Sequence, residues 1–335
     1  MQNSTIQIET IESTSLINNP LGDPTMRRVP VYLPPGYSES DQHYPTVYLI
    51  SSFAARGLKL LNDSLWEENI QERLDRLISG GAVRPMIVVM PDASTRYGGS
   101  QYLNSAGTGN YEDAILELVE LIDHKYRTQP EAGRRAIMGH SSGGYGTLRL
   151  AMRHSEIFGL AAAHAPDLYF EMVYQKDFPH FLRYYEKVGE EGITEMLADP
   201  AAALAQGASF YALAVCAMAS CYSPNPAAPW GFDLPFDLYT GELDEAVWAR
   251  WQAHDPLRMV SDTVGDHAKA LQSLKLLYLD CGLYDEENLL YGARILSKKL
   301  NDLFVSHTYE EFKGGHRNSQ HRYDVSLQKI SEALQ

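Results

Sequence analysis

The stretch R-R-A-I-M-G-H-S-S-G, residues 134–143, sets two serines among glycines directly after a short apolar run. Gly139, His140, Ser141, Ser142 and Gly143 fit the pattern G-x-S-x-G, in which small residues let a serine sit on a very sharp strand-to-helix turn. A plain surface turn needs fewer glycines. Crowding around Ser141, where side chains at 139 and 143 would clash, explains them. This reading makes a demand on the rest of the chain: an acid and then a histidine must follow, each at the end of a later strand.

Working outward, strand-like and helix-like segments alternate. R-R-V-P-V-Y-L (27–33) reads as extended, and P-P-G-Y (34–37) as a turn. T-V-Y-L-I (46–50) is a β-rich run of the kind buried on both faces of a parallel sheet. A helix is expected over 59–79, a strand over 86–90, and a helix over 111–126, where Ile115, Leu118, Ile122 and Tyr126 share one face. Strands follow at 134–138 and 158–163, with a helix holding Leu148 and Met152 between them. Late in the chain come a strand at 274–280, a helical stripe at Leu289, Ala293, Leu296, Leu300 and Leu303, a strand near 306–312 and a closing helix from about 319. Repeated β-then-α units imply an α/β fold with a mostly parallel sheet and helices on both faces. Residues 1–166 and 263–335 form its core. The long stretch 167–262 is read as a helical cap over the strand ends, because a structureless loop of that length does not suit a compact domain.

At 335 residues the chain suits one large domain carrying an insertion. A net charge of −15 argues against nucleic acid as a partner, since phosphates would repel it. The start, M-Q-N-S-T-I-Q-I-E-T, has no basic segment leading into an apolar run, and no secretory signal is expected. Three cysteines, Cys216, Cys221 and Cys281, make no disulfide framework and lack partners at zinc spacing, so a reducing, cytoplasmic setting without a metal is expected. Residues 201–221 are apolar enough to raise a membrane question, but alanine, glycine and serine dominate and a buried helix is the better reading. No membrane partner is expected.

A serine hydroxyl needs a base within hydrogen-bond reach, and the base an orienting group. Of eleven histidines, His316 alone follows the last strand, after two glycines in E-E-F-K-G-G-H. His321 is placed on the terminal helix and His140 in local packing. For the acid, L-Y-L-D-C-G-L-Y-D offers Asp280 at the strand end and Asp285 in the loop beyond. Asp285 is favoured because a loop position can swing towards His316, with Glu286 a distant third. The order Ser141, Asp285, His316 is that of the α/β-hydrolases. Acyl transfer also needs donors for an oxyanion. The Ser142 amide, at a helix N-terminus, is one; the Phe53 amide, in S-S-F-A-A-R-G after strand 46–50, is expected to be the other.

R-V-P-V-Y-L-P-P-G-Y (28–37), Y-P-T-V-Y-L-I (44–50), V-V-M-P-D (88–92), G-H-S-S-G-G-Y-G-T-L (139–148), R-H-S-E-I-F-G (153–159) and the C-G-L-Y-D…G-G-H ending together resemble the Putative esterase family. That branch of the α/β-hydrolases includes esterase D-like S-formylglutathione hydrolases, feruloyl and acetylxylan esterases, enterochelin esterases and mycolyltransferases. The resemblance spans roughly 26–166 and 270–325. It implies a serine hydrolase without cofactor, with Ser141, Asp285 and His316 as nucleophile, acid and base. Two departures stand out. Ser51-Ser52 replaces the family's H-G after the third strand, and Ser142 replaces the methionine of S-M-G-G, which makes that wall smaller and more polar.

Around this centre, Tyr97, Tyr102 and Asn104 can bind polar groups of a substrate, with a solvated loop as the plainer account. Trp66 and Trp230 can line an acyl or aromatic pocket, or serve as core. Asp92 is a turn former, and Tyr169, Phe170 and Tyr174 open the cap. The expected activity is hydrolysis of small or short-chain carboxylic esters through an acyl-enzyme. The alternatives are acyl transfer or thioester hydrolysis by the same residues, and a silent binding protein on the same fold. A homodimer is compatible with all of these.

Overall fold

The computed structural model describes residues 3–260 and 265–334. The first strands are β1 (Thr5–Glu12), β2 (Met26–Leu33), β3 (Thr46–Ile50) and β4 (Ile87–Val89). A two-residue pair follows, β5 (Asn104–Ser105) and β6 (Gly109–Asn110). The remaining strands are β7 (Arg135–His140), β8 (Leu160–His164), β9 (Leu276–Gly282) and β10 (Thr308–Phe312). Eight of them form one sheet in the order β1-β2-β4-β3-β7-β8-β9-β10. From β4 to β10 all neighbours are parallel, whereas β2 runs antiparallel to both β1 and β4. This is the α/β-hydrolase architecture.

The helices between strands are α1 (Ile70–Ser79), α2 (Tyr111–Lys125) and α3 (Ser142–Arg153). A helical segment then runs through α4 (Phe170–Val173), α5 (Phe178–Ala198), α6 (Pro200–Ala205), α7 (Phe210–Tyr222), α8 (Glu245–Gln252) and α9 (Pro256–Met259). The chain ends with α10 (Asp266–Ser273), α11 (Leu289–Asp302) and α12 (Arg322–Ala333). Val47, Tyr48, Leu49, Ile137, Met138, Ala161 and Ala162 are fully buried, as expected of strands covered on both faces. One apolar cluster fills the side of α2, α3 and α11, and another the side of α1 and α12. A third joins α5, α7 and α8 to the loop after β4 and the start of α11. It places the helical segment over the carboxyl ends of the central strands.

Three expectations are corrected, and one strand is added. The helix expected over 59–79 is a 3-10 turn at Gly57–Leu61 and, separately, α1, which starts only where Asn69 and Glu72 form a reciprocal cap. The apolar run 201–221 is divided between α6 and α7, because Gly207 adopts a φ of +93° and Ser209 caps a new helix. Strand β1, unassigned from the sequence, pairs along its whole length with β2. His321 stands at the N-cap of α12, before the helix, with its ring against Phe312. The boundary placed between 262 and 263 lies outside the described residues.

Candidate active site

Strand β7 delivers Ser141 with φ 60° and ψ −125°, and α3 begins at the next residue. That backbone region is costly for a residue with a Cβ and persists only where the surroundings enforce it. Here they do. A Cβ on Gly139 would lie 2.6 Å from the backbone of Gly143, and one on Gly143 would lie 2.6 Å from the Ile50 carbonyl oxygen. A Cβ on Gly144 would likewise lie 2.7 Å from the His164 carbonyl oxygen. The same carbonyl accepts the Ser141 amide at 2.9 Å. The turn is thus wedged between the ends of β3 and β8.

His316 arrives from the loop after β10. That loop crosses the one after β9 so tightly that a Cβ on Gly282 would lie 2.5 Å from the Gly314 carbonyl oxygen. The Tyr284 amide donates to Gly314 at 2.9 Å, and the His316 amide donates to Glu286 Oε2 at 2.6 Å. The imidazole is thereby set between two groups: Nε2 lies 3.1 Å from Ser141 Oγ, and Nδ1 lies 2.9 Å from Asp285 Oδ2. The other carboxylate oxygen, Oδ1, accepts the Glu287 and Leu289 amides at 3.0 and 3.2 Å, which fixes Asp285 against the start of α11.

These contacts set the electrostatics. Burial pushes the Asp285 pKa up, but hydrogen bonding and charge from His316, with the two amides, outweigh it and hold the carboxyl below its ordinary range. Burial likewise pulls His316 down, yet the Asp285 hydrogen bond and charge, helped by Asp167 and Glu287, leave its pKa raised. Beside it, the His140 ring lies 4.5 Å from the His316 ring, centre to centre. Burial first, and then the His316 and His164 charges, push His140 down to about 3, so it stays neutral.

Phe53 and Ser142 both border the cavity beside Ser141. The Ser142 amide is in the first turn of α3, where no intrahelical acceptor exists. The Phe53 amide has no hydrogen-bond partner among the described residues. The loop that carries it is pinned from three sides. Tyr102 Oη donates to the Ser51 carbonyl at 2.6 Å, Ser52 Oγ donates to the His140 carbonyl at 2.9 Å, and the Ala54 amide donates to Gly98 at 3.2 Å. Ser51 and Ser52, which stand where H-G was expected, therefore have holding partners of their own.

The cavity measures about 860 Å³. Ser141, Ser142 and His316 border it, and Val173, Val215, Met218 and Trp251 supply much of its apolar wall. Five expected binding residues, Trp66, Tyr97, Tyr102, Asn104 and Trp230, fall outside its lining. Tyr102 is buried behind the loop it anchors, in space left by Gly146, where a Cβ would meet its ring at 2.4 Å. Asn104 is exposed and exchanges hydrogen bonds with Asp113 on α2. Trp66 is 89% exposed. Trp230 packs with Phe181, Tyr185 and Phe232. Tyr97 is buried in the cluster under the helical segment, and Asp92 holds the Ser94 amide in a tight turn. Asp280 accepts from Tyr278 and Arg322 and pairs with His164 at 2.7 Å, away from His316. Of the three aromatics opening the segment, Tyr174 reaches the cavity. Sequence reading missed Asp167, which also borders it. Its place in A-P-D directly after β8 was the available signal, since ligands meet the loops beyond strand ends. Among the described residues no group of three or more His, Cys, Asp or Glu side chains could hold a metal ion, and no helix is long and apolar enough to cross a membrane.

A parallel sheet with a serine on a strained strand-to-helix turn, and a histidine and acid on later loops, defines an α/β-hydrolase. The sequence model of the family described as "Putative esterase" matches residues 24–333, and the chain belongs to that family. Among curated proteins it is 29% identical over 141 residues to an endo-1,4-beta-xylanase/feruloyl esterase of Xylanibacter ruminicola, covering 40% of this chain and 19% of that protein. It is 30% identical over 139 residues to an esterase of Mycobacterium tuberculosis, covering 41% of this chain and 28% of the relative. The matches thus span less than a third of either relative. Among solved structures, a ferulic acid esterase superposes with a TM-score of 0.64 at 19% identity, over 100% of both chains. An S-formylglutathione hydrolase from Staphylococcus aureus does so with a TM-score of 0.59 at 15% identity, over 99% of this chain and 100% of that one. At such identities the likeness speaks for the fold.

Proposed function

We propose that this chain is a serine-dependent carboxylic-ester hydrolase acting on small or short-chain esters through an acyl-enzyme. One observation carries the reading: His316 lies within hydrogen-bond reach of Ser141 on one nitrogen and of Asp285 on the other. In this mechanism His316 Nε2 takes the Ser141 proton as Oγ attacks the ester carbonyl. Asp285 holds the ring in the tautomer that leaves Nε2 free and steadies the imidazolium. The Phe53 and Ser142 amides receive the oxyanion, each worth about 3 kcal/mol in the transition state. His316 then returns its proton to the departing alcohol, and a water, activated by the same ring, releases the acid. Membership of an esterase family and the esterases among its relatives support the ester as substrate class.

The test uses a fluorophosphonate probe and a panel of p-nitrophenyl esters from acetate to long chains. Wild type should label and should release nitrophenol fastest from the shorter chains, while Ser141→Ala should do neither. An unlabelled, inactive wild type would favour a silent binding fold. Acyl products formed on added alcohols or thiols in place of free acid would favour a transferase.

A further inference from the structure

Within the cavity, one buried carboxyl is left over from the chemistry just described. Asp167 is 5% exposed and borders the cavity next to Ser142. Three donors converge on its Oδ2: Tyr174 Oη at 3.0 Å, Ser142 Oγ at 3.2 Å and Gln101 Nε2 at 3.3 Å. Tyr222 Oη closes the cluster, 3.1 Å from Gln101 Nε2 and 3.3 Å from Tyr174 Oη. The other oxygen, Oδ1, accepts no hydrogen bond among the described residues, and no lysine or arginine there forms an ion pair with Asp167. Oδ1 is open to the cavity, where water can donate to it, and the cost arises when a bound acyl group displaces that water without donating in its place. The cavity wall also carries the apolar Val173, Val215 and Met218. A purely hydrocarbon acyl chain would leave Oδ1 facing carbon.

We infer that Asp167 is a specificity-determining residue, accepting a hydrogen bond from a hydroxyl carried close to the ester carbonyl on the acyl part of the substrate. The inference rests on the esterase reading above. The acyl side follows from proton traffic: the departing alcohol must receive its proton from His316 Nε2, so it leaves past His316 and the exposed Arg317 and Asn318. Asp167 stands on the Ser142 side, where the acyl group stays bonded to Ser141. Proximity to the carbonyl follows because the residue bridging to Asp167 is the nucleophile's immediate neighbour. The preferred substrates are therefore short hydroxyacyl esters. The ring hydroxyl at the far end of a hydroxycinnamate lies too far from the carbonyl.

The experiment compares kcat/KM for p-nitrophenyl butyrate and each enantiomer of p-nitrophenyl 3-hydroxybutyrate, with wild type, Asp167→Asn and Tyr174→Phe. Wild type should prefer one hydroxyacyl enantiomer over the butyrate by about tenfold or more, the range expected of a buried hydrogen bond. Asp167→Asn should reduce that preference to near unity, and Tyr174→Phe should reduce it in part. Equal rates for wild type on both esters would overturn the inference while leaving the esterase reading intact, as would a preference that survives Asp167→Asn. If neither ester turns over and the fluorophosphonate probe fails to label Ser141, the esterase reading falls and this inference falls with it. Because the wild-type ratio is informative alone, poor folding of a variant does not shield the inference.

Discussion

A histidine that must accept a proton is useful only while neutral, and His316 is held so that its neutral form arrives late. Burial favours the neutral ring, but Asp285 outweighs it and the pKa lies above the ordinary 6.5. On the proposed mechanism kcat/KM should rise with pH along a limb centred above 6.5, and fall as acid protonates the ring. Asp285→Asn removes the charge that raises this pKa, so the limb should move to lower pH while kcat drops about 10⁴-fold. A pH–rate profile of the two proteins checks both effects, and an unmoved limb would remove Asp285 from its assigned role. At this scale much was legible. Ser141 and His316 sit in glycine-flanked turns whose placement relative to strands is a sequence property. Choosing Asp285 over Asp280 took a geometric argument; in the structure Asp280 is occupied by His164, Tyr278 and Arg322, while Asp285 lies 2.9 Å from His316 Nδ1.

Elements meet where backbone approaches backbone, and the glycines of the turn mark those approaches. A Cβ at position 143 would fall 2.6 Å from the Ile50 oxygen and 2.9 Å from the Ser51 oxygen, atoms that cannot swing aside as a side chain can. Gly143→Ala should therefore cost about 1–3 kcal/mol of stability, read by denaturant unfolding, through forced overpacking. It should also displace the loop holding Phe53 and so lower kcat more than it raises KM. A variant with wild-type stability and kcat would show that β3 and α3 can part without consequence. Strand β3 was readable as a β-rich run, T-V-Y-L-I. Helix limits were not. The stretch 59–79 has apolar residues at helical spacing, yet the first part forms a 3-10 turn and α1 waits for the Asn69 cap. In 201–221, composition suggested one helix where a single positive-φ glycine makes two.

Across the whole molecule, a buried polar network ties α12 to the sheet beneath the site. Arg322 Nε donates to Asp280 Oδ2 at 2.8 Å and its Nη2 to Glu310 Oε2 at 2.6 Å, while His164 joins Asp280 to Ser326 on α12. Burial raises the Asp280 pKa, but His164 and Arg322 outweigh it and keep it below 3.8. The sign follows: a depressed carboxylate contributes stability at neutral pH, and that contribution is lost as pH falls through the folded-state value. Arg322→Ala should thus cost about 3 kcal/mol at pH 7, since it strips a partner from a buried charge. Its deficit relative to wild type should shrink in acid. Urea unfolding at pH 7 and near pH 2, below the depressed Asp280 range, measures both, and a loss at pH 7 under 0.5 kcal/mol, roughly the scale of exposed pairs, would show the network to be dispensable.

Sequence alone determined the mostly parallel sheet, the serine on its turn, and the chain order in which Asp285 and His316 follow it on later loops, because strand patterning and glycine placement are local consequences of backbone geometry. It could not decide which side chains share a cavity. Gln101, in the loop after β4, lies far along the chain from Asp167 and Tyr174 and from Tyr222 on α7, and the four meet only in the folded structure. Tyr102 and Asn104, neighbours of Gln101 in the chain, point to a carbonyl behind the loop and to a helix cap instead. Consecutive left-handed residues at Gln101 and Tyr102 send adjacent side chains in different directions, and no periodicity in the sequence announces such a turn.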